Sequence, residues 1–142
     1  MSTVNLTTNN ENGSQRGVKA VKATIDYTDR SDGETLVSGD INQILQLPDN
    51  VIVTGVFMNV VTEFDSETSA VLDVGDGGSA TRYKDDLDLT TAGATAVTSV
   101  SFYYAAGDTI DAAITIVGAT TEGVVDIIVE YIDLNEKLNY NA

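Results

Sequence analysis

From Val18 onward, apolar and polar residues alternate with the period of two that belongs to an extended chain. Lys19, Val21, Ala23, Ile25 and Tyr27 share one face of such a strand, and Val18, Ala20, Lys22, Thr24 and Asp26 share the other; the first face is the more apolar from Val21 onward. The run DRSDG (Asp29–Gly33) is turn chemistry, because Asp and Ser bond locally and Gly accepts a positive φ. A weak strand is expected at 34–38. The stretch DINQILQL (Asp40–Leu47) has helical spacing at Ile41, Ile44 and Leu45, with Asp40 placed as a cap. It is only two turns long and stops at Pro48, so a strand is expected among strand neighbours.

Val51–Glu63 is the clearest strand, rich in β-branched and aromatic residues. Read as unbroken, it sets Val51, Val53, Phe57 and Val61 on one face and Ile52, Thr54, Val56, Met58 and Val60 on the other. Both faces are apolar, so both need cover, or one meets another subunit. Gly55 inside the run points to a bulge or a close backbone approach. After a turn at Phe64–Thr68, Ala70, Leu72 and Val74 point one way from a strand at Ser69–Val74. Gly75–Gly78 then breaks the chain, and a short strand at Ala80–Tyr83 returns as a hairpin. Asp85–Gly93 reads as an acidic loop anchored by Leu87 and Leu89. Three further strands are expected at Val97–Tyr104, Thr109–Val117 and Val124–Asp133. In the second of these Ile110, Ala112, Ile114 and Ile116 line one face; in the third Val125, Ile127, Val129 and Tyr131 do. Eight or nine short strands without a long helix predict an all-β fold, an antiparallel β-sandwich. The domain divides into an arm at residues 1–17, a sandwich at 18–134 and a polar tail at 135–142.

Composition narrows the function more than the fold. At 142 residues the chain reads as one domain large enough for its own core. No run of 18 apolar residues marks a membrane span. The opening MSTVNLTTNN lacks the basic and then apolar pattern of a signal peptide, which points to a cytoplasmic start. There is no Cys and no His, which removes thiolate chemistry, disulfides and the commonest general base. The net charge of −15 repels nucleic acid and anionic membranes, so neither is an expected partner. The charge is uneven: residues 1–22 carry +2 through Arg16, Lys19 and Lys22 against Glu11, and the remainder carries −17. That arm reads either as a solvated tail or as a tether to something acidic. Its composition buries too little to order alone, so it is expected to be flexible until it meets a partner.

Four candidate chemistries are each outweighed by a plainer structural reading of the same residues. Gly75-Asp76-Gly77-Gly78 looks like a phosphate loop, but Ser79-Ala80-Thr81-Arg82 follows where a Lys and a Ser or Thr should open a helix; a tight hairpin turn fits better. Asp73, Asp76, Asp85, Asp86 and Asp88 could gather calcium, yet their spacing misses the calcium loop and solvated acids are the simpler reading. Carboxylate pairs suited to glycoside hydrolysis arise by chance among 22 acids, and there is no Trp for a sugar platform. Tyr83, Tyr103 or Tyr104 could stack on a sugar, although Tyr103 must face away from Phe102 and Tyr104 and packing is the commoner role. No base and nucleophile come together, so the chain is read as no enzyme and as needing no cofactor or metal.

The stretches LPDNVIVTGVFMNVVTEFDSETSAVLDVGDGGSATRY and YYAAGDTIDAAITIVGATTEGVVDIIVEYI resemble the small decoration (cement) proteins of tailed-bacteriophage capsids. The matching motifs are Leu47-Pro48, Asp73–Gly77, Arg82-Tyr83, Tyr103-Tyr104, Gly107-Asp108 and Val129–Tyr131, within about residues 36–133. The resemblance implies a jelly-roll-like sandwich assembled as a homotrimer on the outer capsid surface, made in the host cytoplasm and bridging major capsid proteins. It implies no catalytic residues. On this reading Arg16, Lys19 and Lys22 belong to the arm that contacts the capsid, and Val56, Met58 and Val60 pack against sister subunits. The alternative is a carbohydrate-binding sandwich on a phage surface. The tail from Asp133 onward falls outside the family pattern.

Overall fold

A computed structural model describes residues 18–28 and 39–135. The turn expected at Asp29–Gly33, the weak strand at 34–38 and the arm at 1–17 lie outside the described residues. The described chain forms nine strands: β1 (Val18–Asp26), β2 (Ile41–Leu47), β3 (Val51–Thr62), β4 (Ser69–Asp76), β5 (Ser79–Asp88), β6 (Gly93–Val97), β7 (Phe102–Tyr104), β8 (Asp108–Val117) and β9 (Val124–Asp133). They make two antiparallel sheets. One runs β1-β9-β3-β6, with β7 also on β3; the other runs β2-β8-β4-β5. Every connection except β4–β5 and β6–β7 crosses from one sheet to the other, which gives a jelly-roll sandwich. DINQILQL is a strand, as its neighbours required.

Alternation fills the space between the sheets. Ile25 of β1, Ala70, Leu72 and Val74 of β4, Ile110, Ala112 and Ile114 of β8, and Val125, Ile127 and Val129 of β9 are all buried. Each large aliphatic removed from water contributes roughly 1.5–3 kcal/mol. Phe64 closes one end of the core, with Gly123 lying flat against its ring.

Three expectations need correction. The bulge signalled by Gly55 is present: Val53 pairs with Tyr131 and Gly55 with Glu130, so Thr54 is an extra residue. An extra residue reverses the parity of everything beyond it. Val56, Met58 and Val60 therefore share the inner face with Val51 and Val53, while Phe57 turns outward. All three are core residues of a single chain, and their burial requires no sister copy. Next, the acidic loop expected at Asp85–Gly93 is mostly strand. β5 runs on to Asp88 because register shifts absorb extra residues on that strand. Last, Val97–Tyr104 is not one strand. β6 and β7 lie along the same edge of β3, separated at residues 98–101.

Candidate functional site

The GDGG cluster is a turn, and what it holds is structural. Asp76 ends β4 and pairs with Ser79 at the start of β5, leaving Gly77 and Gly78 as the two-residue connection. Asp76 is only 4% exposed. Its Oδ1 accepts hydrogen bonds from the backbone N–H groups of Gly78 (2.9 Å) and Ser79 (2.8 Å), the local bonding that makes Asp a turn residue. Its Oδ2 accepts from the Arg82 Nε–H and, at 2.6 Å, from the Tyr104 hydroxyl. The Tyr83 hydroxyl lies 2.5 Å from that of Tyr104. Because Tyr104 gives its proton to Asp76, Tyr83 donates to Tyr104. The Arg82 guanidinium sits 3.7 Å over the Phe102 ring, which meets Tyr104 edge-on at 4.9 Å between centroids. Residues of β4 and β5 in one sheet are thereby latched to β7 in the other.

Electrostatics agree with that geometry. Burial alone pushes the Asp76 carboxyl up, but the hydrogen bonds from Arg82, Tyr104 and the two amides outweigh it and hold the carboxyl below its ordinary value. The Asp76 hydrogen bond raises Arg82. Burial pushes Tyr83 up to about 12, and burial followed by the bond to Asp76 raises Tyr104. All these shifts keep Asp76 and Arg82 charged and both tyrosines protonated at neutral pH. No member is set up as a base or nucleophile.

The turn glycines are demanded by space. A Cβ on Gly75 would come within 2.0 Å of the Ser79 carbonyl oxygen and 2.3 Å of the Ala80 carbonyl carbon. One on Gly77 would meet Asp108 Oδ1 at 2.8 Å. The obstacles at Gly75 are backbone, so no rotamer change relieves them. Gly75→Ala is expected to destabilise the fold by at least the ~1–3 kcal/mol typical of overpacking, read as a lowered urea midpoint. A midpoint equal to that of the parent would show that the hairpin does not cross as closely as described.

The acids expected to gather around a cation separate into three groups. Asp76 belongs to the latch. Asp88 Oδ1 accepts from the Thr90 N–H and hydroxyl, at 2.8 and 2.7 Å, and those bonds lower its carboxyl. Asp73, Asp85 and Asp86 do converge, with oxygens within 4.8 Å of one another. The register shift in β5 that includes Asp86, at φ 49°, brings them together, and the Asp86 N–H donates to Asp73 Oδ1 at 2.8 Å. One oxygen from each converges, which supplies three of the six to eight that calcium takes.

The tyrosines named for sugar stacking also separate. Tyr83 and Tyr104 are buried in the latch, so neither offers a ring face to a sugar. Tyr103 points the other way, as adjacency required; it is 50% exposed and its hydroxyl donates to Asn50 Oδ1 at 2.8 Å. Of the arm cations, Lys19 and Lys22 lie within β1 and Arg16 lies outside the described residues. Lys19 approaches Asp133 at 3.6 Å and Lys22 approaches Asp126 at 3.8 Å, both on β9.

Of two further surfaces, the sequence anticipated one as an apolar outer face without its full set of residues, and the other went unnoticed. The outer face of the first sheet carries apolar rows across its strands. Val18, Ile132, Ile52 and Tyr103 form one row over β1, β9, β3 and β7. Beyond an intervening row at Ala20, Glu130 and Gly55, a second lies over β1, β9, β3 and β6 at Lys22, Ile128, Phe57 and Ala96. The outer face of the second sheet holds a groove of about 680 Å³. Its floor is Asp111 and Ala113 of β8, one wall is Ile41–Gln43 of β2, and the other is the Gly77–Gly78 turn with the start of β5. The parity error beyond Gly55 concealed part of the first surface. The second depends on a hairpin folding across a strand more than 30 residues away.

No protein-family model matches the chain, and no curated protein does. Solved structures do. A chain of the cyanophage Pam1 capsid asymmetric unit superposes with a TM-score of 0.66 at 23% identity, over 82% of this chain and 84% of that one. A chain in the acidic stable capsid structure of Helicobacter pylori bacteriophage KHP30 gives 0.62 at 13% identity, over 81% and 86%. One in the capsid of Ralstonia phage GP4 gives 0.58 at 14%, over 82% and 84%. The jelly-roll sandwich described here is thus a fold that this chain shares with components of three phage capsids.

Proposed function

We propose that the chain is a structural component of a bacteriophage capsid and, within it, a homotrimeric cement protein on the outer surface that bridges major capsid proteins. The observation that carries this reading is the shared fold at near-equal chain length. The overlap is about the same share of both chains in each of the three pairs, so each matched capsid chain is about the size of this one. The resemblance of the Asp73–Gly77, Arg82-Tyr83 and Tyr103-Tyr104 motifs to cement proteins supports the same reading. Asp76, Arg82, Tyr83 and Tyr104 of those motifs form the latch, which gives them a common structural role.

The outer face of the first sheet supports the trimer. A row of Val18, Ile132, Ile52 and Tyr103 facing water is unfavourable for a single chain and suits a sister copy. Contacts through a three-fold rotation close into a ring and avoid open fibres. The sister-facing residues are then Ile52 and its neighbours, in place of Val56, Met58 and Val60. Attachment to the shell is assigned on this reading to residues 1–17, with Arg16.

Light scattering tests the assembly. The parent chain is expected at three times its 15.0 kDa mass, and Ile52→Asp at the mass of one folded chain. A parent that runs as a single chain, or an Ile52→Asp variant that stays trimeric, contradicts the arrangement.

A further inference from the structure

The groove on the second sheet contains a carboxylate without a counter-ion. Asp111 lies at its floor, and Asp111 Oδ1 is buried with no hydrogen-bond partner. Its register neighbours are Gln43 on β2 and Gly75 on β4, neither of them charged. Among the described residues the ion pairs fall on Asp76, Asp126 and Asp133, and no cation pairs with Asp111. A buried acceptor left unpaired costs free energy; Asp111 as a whole is half-buried and Oδ1 is the oxygen closed to water, so a small turn of the side chain brings it to a donor in the groove. The surroundings define the donor's shape. Ile41 forms the lip of the groove and is 64% exposed, the most exposed of the large apolar side chains described. With Ala113 and Ala80 it offers apolar contact to an aliphatic stem. Gln43 and Ser79 bring further acceptor oxygens to the walls.

We propose that this groove binds an arginine side chain presented by a partner protein, with Asp111 as the counter-ion. Arginine joins a long apolar stem to a planar head with five N–H donors and is weakly hydrated for a cation, which matches an apolar lip above a half-buried carboxylate. Asp76 also lines the groove, but both its oxygens are taken by the latch, which leaves Asp111 alone as too few ligands for a divalent metal, and no aromatic residue lines the groove to favour a sugar. The net charge of −15 draws a basic surface toward the chain before the groove selects one side chain from it. The proposal does not rest on the shell reading, since any protein presenting such an arginine satisfies it.

The test is an amide NMR titration of the full-length chain with N-acetyl-arginine amide and, separately, with N-acetyl-citrulline amide, a neutral mimic of nearly the same shape. Saturable shifts are expected at Gly77, Gly78 and Ala113 with the arginine probe, with the citrulline probe weaker by about tenfold or more because its neutral donors lack the positive charge that pairs with the carboxylate. Asp111→Asn is expected to weaken the arginine probe by a similar factor, and Asp85→Asn, an exposed acid outside the groove, to leave it unchanged. Ile41→Ser is expected to weaken it as well; Ile41 is exposed, so this variant decides the matter should Asp111→Asn disturb the fold. The proposal is overturned by shifts that rise linearly across all the acidic loops, by equal binding of the two probes, or by Asp111→Asn or Ile41→Ser binding as the parent does.

Discussion

Asp76→Ala is expected to destabilise the folded chain by about 3–5 kcal/mol, the cost of removing one partner from a buried ion pair. Four donors converge on this carboxylate: two backbone amides, the Arg82 Nε–H and the Tyr104 hydroxyl. The alanine leaves all four without an acceptor, at the junction where β7 of one sheet meets the hairpin of the other. Asp76→Asn is expected to cost nearly as much, although it is isosteric. Every contact is a donor, so the amide nitrogen must face at least one donor head-on. The pH dependence follows from the same geometry. The carboxyl of Asp76 is held below its ordinary value in the fold. Its contribution is therefore complete above the unfolded value and is lost as pH falls through the folded one. Both variants are expected to lose that part of the acid dependence. Urea unfolding between neutral and acid pH measures it; a midpoint for Asp76→Ala within about 0.5 kcal/mol of the parent at neutral pH would show that the latch contributes no more than an ordinary surface contact.

Deletion of residues 1–17 is expected to leave a folded trimer that no longer attaches to shells, with affinity reduced by about 100-fold or more, equivalent to roughly 2.7 kcal/mol. The body survives because β1 begins at Val18 and pairs with β9 over its whole length, from Val18–Ile132 to Asp26–Val124. Lys19 and Lys22 remain after the deletion, but each already faces an acid on β9. Exposed pairs of this kind contribute little to stability, yet they offset the positive charge that a capsid would otherwise meet. Arg16→Ala is accordingly expected to weaken attachment more than Lys19→Ala or Lys22→Ala. Co-sedimentation with shells that lack the protein supplies the measurement, and a truncated chain that decorates as tightly as the whole would remove the arm from the account.

Much of the fold was legible because burial on one face writes itself into a strand as a period of two. The inner faces of β1, β4, β8 and β9 follow directly from Ile25, Leu72, Ile114 and Ile127 and their alternate neighbours. β3 shows the limit of that argument. Gly55 announced the bulge, but alternation was carried through it unchanged, and one extra residue at Thr54 moved Val56, Met58 and Val60 inside and Phe57 outside. The latch was visible as a set of motifs and invisible as a contact. Asp76 and Tyr104 are 28 residues apart and lie in different sheets, and no local pattern brings them together. Asp111 left no signal at all. An acid at an outward position of an alternating strand reads as solvated, and only the hairpin folding over β4 makes it otherwise.

The central claim is that this sandwich sits on the outside of a phage shell and ties its subunits together. Reconstruction by electron cryo-microscopy of shells assembled with and without the chain tests it most directly. The account expects added three-lobed density on the outer surface at three-fold positions, each lobe fitting one sandwich with its first sheet turned toward its neighbours. Shells whose outer surface is the same in both preparations would contradict it.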